Sequence, residues 1–268
     1  MPTDLFSVRG RTALVTGGAT GLGRICAEAL LGAGARVLIA SRKAEACEAV
    51  AKELSAIGPC EGFGGSVASE AGVKALVEEV RRRTDALHIL VNNAGVNWGE
   101  PYATFPWKAW ERVLSVNVTG LFTLTRDLTP MLVSGATPDW PSTVINLGSV
   151  MGYVTQSENA YAYSASKAAV HHLTRILAAE LAAKQVTVNA LAPGPFPTNM
   201  TRFAIGDAAG QAKSMKAVPM GRVGRPDDIA GPILFLAGRS GAYTTGAILP
   251  VDGGVGVTAP PAMFGDHG

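Results

Sequence analysis

The chain has 268 residues, 47% of them apolar and 16% charged, with 32 glycines and a net charge of +2. That composition supports a sizeable core and excludes wholesale disorder, and the length suits one large α/β domain in preference to two small ones. The weak, dispersed charge excludes a nucleic-acid binder: the basic run Arg81, Arg82 and Arg83 stands among Glu78, Glu79 and Asp85 and reads as a solvated helix end.

In chain order, short β-branched or aliphatic runs alternate with longer stretches of helical period. The strand runs are Thr12–Val15, Val37–Ala40, Ile89–Val91, Val144–Leu147, Val186–Leu191 and Ile248–Val251, with a weaker one near Gly62–Val67. The helical stretches are Leu22–Leu31, Ala44–Ala56, Ala71–Arg83, Trp107–Leu132, Ala165–Ala183 and Asp227–Ala237. The strand runs are continuously apolar rather than alternating, as buried parallel strands covered on both faces are. The predicted architecture is therefore α/β: a Rossmann-type, doubly wound parallel sheet of about seven strands flanked by helices on both faces. One domain is expected over residues 1–268, with no internal repeat or linker. The Gly/Pro-rich stretch Pro193–Pro197 follows a strand and reads as a site loop. The tail after Gly254, with Pro260 and Pro261, is expected to pack at a surface or interface.

Cys26, Cys47 and Cys60 form neither a metal spacing nor an even disulfide set, so reduced thiols are expected. Met1–Gly10 carries no signal pattern, and no apolar run approaches the roughly 18 residues of a spanning helix. These features predict a cytoplasmic protein with no membrane partner.

Thr16-Gly17-Gly18-Ala19-Thr20-Gly21-Leu22-Gly23 lies between the first strand and the first helix. Glycines there let backbone N–H groups approach a pyrophosphate, and the helix N-terminus adds a favourable dipole. The spacing is Gly-x-x-x-Gly-x-Gly, and its position between strand and helix is what makes it a dinucleotide signal. The second strand ends Ile39-Ala40-Ser41-Arg42-Lys43, without the acid that takes ribose hydroxyls in NAD-binding folds. A hydroxyl and two cations suit a 2′-phosphate, which predicts NADP(H) as the preferred cofactor, with NAD(H) as the second choice.

Tyr163 and Lys167, in Tyr163-Ser164-Ala165-Ser166-Lys167, fall on one face of a helix. An ammonium beside a phenol favours the phenolate and is expected to lower its pKa from about 10, tuning it for proton transfer near neutral pH. Alone this motif is common by chance. With the glycine loop, Asn92-Asn93-Ala94-Gly95, Asn117, Ser149 and Pro193-Gly194, in this order from about residue 10 to 254, the chain resembles the short-chain dehydrogenase/reductase family.

The resemblance implies roles by position. Tyr163 is implied as acid/base and Ser149 as the hydroxyl holding the substrate oxygen. Lys167 would tune Tyr163 and bind the nicotinamide ribose, and Asn117 would support a proton-relaying water chain. Asn93, Ala94 and Gly95 would line the adenosine side. Pro193, Gly194, Phe196 and Thr198 would frame the nicotinamide. Ser66-Val67 stands where the family usually has Asp-Val, and Ser66 still offers an acceptor toward adenine. The chemistry is coherent in itself: Ser149 and Tyr163 donate where charge develops on a carbonyl oxygen, and Tyr163 supplies the proton. No metal is called for; His171 and His172, adjacent on a helix, point apart and read as surface or core residues. Tyr161 lacks a lysine at the required spacing, because residue 165 is alanine, and reads as packing or site lining. Gly148-Ser149-Val150-Met151-Gly152 is no hydrolase elbow, because residue 147 is leucine.

At the substrate end, Asn92–Gly99, Ala160–Tyr163, Pro195–Thr201 and Pro219–Arg222 resemble the 3-oxoacyl carrier-protein or CoA reductases, in particular the type associated with rhamnolipid synthesis. That implies reduction of a 3-oxoacyl thioester or similar ketone. Trp98, Met151, Tyr161, Met200 and Phe203 are candidate walls of an apolar pocket, with Ser149 and Tyr163 at its base. Asn199–Val218, within about 195–220, is expected to be a mobile lid. Two rival readings stand: a dehydrogenase of a secondary alcohol, polyol or sugar acid, and a non-catalytic dinucleotide-binding regulator on the same fold. The resemblance also implies a homotetramer, or a homodimer, built on the two long helices and the C-terminal strand, with Ala168, Ala169 and Ala178 permitting close helix approach.

Overall fold

In the computed structural model, residues 4–155, 159–201, 210 and 214–257 are described. Seven parallel strands form one sheet in the order β3-β2-β1-β4-β5-β6-β7. They are β1 (Thr12–Thr16), β2 (Arg36–Ser41), β3 (Cys60–Gly64), β4 (Ile89–Asn92), β5 (Ser142–Leu147), β6 (Val186–Pro193) and β7 (Ile248–Val251). Each runs to within a few residues of its predicted span. The weak strand begins earlier than predicted, at Cys60, because Cys60–Gly64 pairs with Val37–Ser41 of β2 and leaves Ser66 and Val67 beyond the strand end.

Successive strand residues face opposite ways, so each continuous apolar run feeds two cores. Val15, Ile39, Val91 and Ile145 pack with Leu30 of α1 (Gly21–Gly32), Ala51 of α2 (Ala44–Leu54) and Ile233 of α7 (Pro226–Ala237). Their neighbours Leu14, Leu38, Leu90 and Val144 pack on the other face against Leu76 of α3 (Glu70–Arg81), Leu128 of α5 (Leu121–Gly135) and Leu177 of α6 (Tyr161–Leu181). Each fully buried aliphatic side chain contributes about 1.5–3 kcal/mol, which is why this pattern dominates local propensity.

Two helix predictions are corrected. The stretch Trp107–Leu132 is not one α-helix: α4 (Trp107–Leu114) passes through a π-helical turn, Ser115–Gly120, into α5. Gly120 lies so close to the Val67 carbonyl that any Cβ would collide with it. The widened turn also carries Asn117 inward, where it is buried. Helix α6 starts at Tyr161, four residues before the predicted Ala165, so the Tyr163–Lys167 pair stands wholly inside it. Ala178 of α6 is buried against the sheet rather than free for a partner helix.

Between Leu147 and α6 a short 3-10 turn, Val150–Gly152, is opened by Ser149, whose Oγ accepts the Met151 amide at 3.2 Å. The Arg81–Arg83 run ends α3 as predicted, with Arg81 paired to Glu78 and Arg83 and Arg82 to Glu79.

Candidate active site

A cavity of about 1740 Å³ opens at the carboxyl ends of the strands, across the point where the strand order reverses between β1 and β4. Open α/β sheets bind ligands there, because the two neighbouring connections leave the sheet toward opposite faces.

One arm begins at the glycine loop. Gly17, Thr20, Gly21 and Leu22 line it. A Cβ on Gly17, which has φ +66°, would stand 2.8 Å from Asn93 Nδ2. Thr20 precedes α1 without a side-chain cap, and the first turn carries no acid. Its orphan amides therefore face the arm available for an anion. Ala19 and Gly23, expected among the contacts, do not line the cavity: Ala19 is buried, and Gly23 packs on the Gly17 carbonyl. Their small size brings helix and loop together.

The arm continues along Ser41 and Arg42, then Ser66 and Val67, then Asn93, Ala94 and Gly95. Lys43 is exposed outside the wall, at the residue preceding α2, and its carbonyl accepts the Ser41 hydroxyl at 3.2 Å. Asn93 is held by bonds from Nδ2 to Thr16 O (2.8 Å) and Gly17 O (3.2 Å). Thr16 Oγ1 accepts the Asn93 and Ala94 amides, tying the β4 end to the β1 end.

The second arm is lined by Ser149, Tyr163 and Lys167, with Pro193, Gly194, Phe196, Thr198, Met151 and Met200. Tyr163 and Lys167 are brought together by one turn of α6, and Ser149 by the end of β5. The predicted acidification of the phenol is corrected. Burial pushes the Tyr163 hydroxyl up, with a hydrogen bond to Ser149 working against that rise. Lys167 Nζ instead donates to Leu147 O at 2.6 Å and lies 5.4 Å from the Tyr163 ring centroid. Burial lowers the Lys167 ammonium to about 8.

Asn117 stands behind the wall. Its Oδ1 accepts the Val96 amide (2.9 Å), and its Nδ2 donates to Val96 O (3.0 Å) and Ser166 Oγ (3.0 Å). The side chain thus braces the Gly95–Val96 segment against α6. A buried ladder that sequence reasoning missed runs beneath it: Asn92 Nδ2 donates to Thr125 Oγ1 and Asn146 Oδ1, and Asn146 Nδ2 donates to Thr174 Oγ1, each at 2.9 Å. The asparagines interrupting two apolar strand ends were its sequence signal.

Two expected substrate walls lie elsewhere. Tyr161 packs edge-on against Tyr102 and Phe105, with centroids 5.9 and 5.3 Å away. Trp98 carries Lys108 and Arg112 near its ring, at 5.6 and 5.7 Å from the centroid. Neither lines the cavity. Both were read from residue type, which does not reveal which side of a loop faces inward. Phe203, and most of the expected lid, fall outside the described residues. Among the described residues no cluster of His, Cys, Asp and Glu has the makings of a metal site, and no helix is long and apolar enough to cross a membrane.

A glycine loop opening α1 and a Ser–Tyr–Lys group at the far end of one long cavity define a nicotinamide-dependent oxidoreductase. The chain belongs to the short-chain dehydrogenase/reductase family: a family model described as enoyl-(acyl carrier protein) reductase matches residues 17–256. It is 46% identical to the rhamnolipids biosynthesis 3-oxoacyl-[acyl-carrier-protein] reductase of Pseudomonas aeruginosa, over 93% of this chain and 97% of that one. It is 33% identical to the 5-keto-D-gluconate 5-reductase of Escherichia coli, over 94% and 98% of the two chains. A solved Pseudomonas aeruginosa RhlG/NADP active-site complex superposes with a TM-score of 0.93 at 44% identity, covering 96% of this chain and all of that one (100%).

Proposed function

We propose that this protein uses NADP(H) to reduce a 3-oxoacyl thioester, or a ketone of similar shape, to the secondary alcohol. The observation that carries the reading is the meeting of Ser149, Tyr163 and Lys167 on one wall of the cavity whose other arm begins at the Gly17–Leu22 loop.

The residues present fit the cofactor. Uncapped amides at the start of α1 suit a pyrophosphate, and the exposed Arg42 suits a 2′-phosphate. Ser66, Val67 and Ala94 would flank the adenosine, and Gly194, Phe196 and Thr198 the nicotinamide. When bound, the cofactor supplies the hydride. The chain does the rest: Ser149 Oγ orients the carbonyl oxygen, and the Tyr163 phenol donates a proton to it. Lys167 would hold the reacting end of the cofactor, and its ammonium, 5.4 Å from the Tyr163 ring centroid, keeps a positive charge near the phenol. Asn117 keeps the Gly95–Val96 wall in place.

The apolar outer wall, with Met151, Val154 and Met200, suits an acyl chain. Among the described lining residues Arg42 and Lys167 are the only charged side chains, and both belong to the cofactor in this reading. The sugar-acid or polyol dehydrogenase reading is kept because two curated relatives are a 5-keto-D-gluconate 5-reductase and a galactitol 2-dehydrogenase, the latter from Cereibacter sphaeroides and 38% identical.

We further propose a single domain with a lid near 195–220, a cytoplasmic location and a homotetramer. The test is a panel of 3-oxoacyl thioesters on carrier protein and on CoA, cyclic ketones, 5-ketogluconate and galactitol, each with NADP(H) and NAD(H). Fastest turnover of a 3-oxoacyl thioester with NADPH is expected; preference for 5-ketogluconate or galactitol would overturn the substrate class. In the Tyr163→Phe variant, turnover should fall about 10²–10⁴-fold while NADPH still binds. Unchanged turnover would remove Tyr163 as proton donor.

A further inference from the structure

His171 lies one helical turn after Lys167 on α6, with its side chain buried beneath the turn that carries Ser149. Two glycines of that turn make room for the ring. A Cβ on Gly148 would collide with His171 Nε2, and one on Gly152 would come within 2.6 Å of Cε1 and 2.7 Å of Nδ1. The Ser149 amide donates to Nε2 over a long 3.5 Å. Tyr153 packs on the imidazole, with centroids 5.8 Å apart, and its hydroxyl donates to Asp252 Oδ2 at 3.1 Å.

From this geometry we infer that His171 is a positioning residue for Ser149: its ring sets the height of the Gly148–Gly152 turn above α6, and its Nε2 fixes the direction of the Ser149 amide. The inference rests on the proposed role of Ser149 as the hydroxyl that orients the substrate oxygen. Three features make the brace specific. Besides the Tyr153 ring, it meets the turn at the backbone of Gly148, Ser149 and Gly152, so it acts on the turn itself rather than on one rotamer. The turn has no side-chain bulk at the two glycines with which to hold itself off α6. Ser149 Oγ is already directed by the Met151 amide, so displacing the turn carries the hydroxyl with it. Burial, with Lys167 and Arg175 nearby, pushes the imidazole down to about 4, so Nε2 stays an acceptor through the neutral range.

The test compares His171→Leu, which fills the space without an acceptor, with His171→Gln, which restores an acceptor at similar reach. Ser149→Ala and the Ser149→Ala/His171→Leu double variant complete the set. The readouts are kcat and KM for the ketone with the highest turnover in the panel above, NADPH affinity by fluorescence, and a crystal structure of His171→Leu. We expect His171→Leu to lose about 10–100-fold in kcat, because sub-ångström to ångström misplacement of a positioning group has effects of that size. NADPH affinity should stay within about twofold, His171→Gln should recover most of the loss, and the turn should be displaced in the crystal. On the Ser149→Ala background, His171→Leu should have no further effect, because the two act through one hydroxyl. Wild-type kcat in His171→Leu, a full additional loss in the double variant, no recovery with Gln, or a parallel loss of NADPH binding would each overturn the inference. If Ser149→Ala itself keeps full turnover, the functional reading of Ser149 fails first; if it loses turnover while His171→Leu keeps it, the brace alone fails.

Discussion

Lys167 Nζ donates to the carbonyl oxygen of Leu147 at 2.6 Å, anchoring its ammonium to the end of β5 two residues before Ser149. The buried cation is thus satisfied by the strand that delivers the serine, and helix and strand end are locked in one arrangement. Its acidity has a consequence for stability. The folded ammonium titrates at about 8 against an ordinary 10.5. Between those values the unfolded chain binds the proton that the folded chain sheds, so this group makes stability rise with pH there. At neutral pH its burial costs on the order of 3 kcal/mol. In denaturant melts, the stability difference between wild type and Lys167→Met should be flat below about pH 8 and should move in favour of wild type from about pH 8 to 10. Parallel curves across that range would count against a buried, depressed lysine.

Asn117 satisfies both backbone groups of Val96 and the Ser166 hydroxyl. Asn117→Ala leaves both Val96 backbone groups unpaired, while the Ser166 hydroxyl keeps its bond to the Tyr163 carbonyl. The expected loss is about 2–4 kcal/mol, read as a fall in Tm of roughly 5–15 °C. Turnover should fall with it, because Gly95 and Val96 border the cavity.

The glycine loop makes a steric prediction. An added methyl at Gly23 meets the Gly17 carbonyl and Asn93 Nδ2, whereas one at Gly32, at the other end of α1, meets nothing within 4 Å. Gly23→Ala should destabilise by about 1–3 kcal/mol and weaken NADPH binding about tenfold or more. Gly32→Ala should leave binding unchanged and stability equal or slightly higher. Calorimetric titration of NADPH and thermal melts check both.

Arg42 is the exposed cation on the cavity wall past the end of β2. Charge-assisted bonds to a phosphate contribute about 1.5–3 kcal/mol, so Arg42→Ala should raise the KM for NADPH about 10–100-fold and change that for NADH far less. Equal effects on both cofactors would dissociate Arg42 from the 2′-phosphate.

Tyr161 belongs to the aromatic cluster with Tyr102 and Phe105, outside the cavity, whereas Met151 lines it. Tyr161→Leu should lower Tm, since edge-on aromatic pairs contribute about 0.5–1.5 kcal/mol each, and leave the substrate KM within about twofold. Met151→Ala should do the reverse, shifting KM with little change in Tm.

Much of this protein was legible locally. Continuous apolar runs marked strands buried on both faces, the glycine loop marked the start of α1, and the spacing of Tyr163 and Lys167 placed them on one helical face, because each signal is a period or conformational demand within a few residues. Other features depended on segments far apart in sequence. At the π turn Ser115–Gly120, Gly120 lies against the Val67 carbonyl and Asn117 bonds both backbone groups of Val96, all distant in sequence. Residue type alone made Trp98 and Tyr161 look like pocket walls, but packing against Lys108, Arg112, Tyr102 and Phe105 turned them elsewhere. The amino-acid order by itself determined the layers, the glycine loop at the start of α1 and the helical pairing of Tyr163 with Lys167. Only the tertiary structure decided that the Lys167 cation goes to the Leu147 carbonyl and that His171 lies under Ser149, because a buried polar group takes whichever partner the packed strands and helices bring within reach.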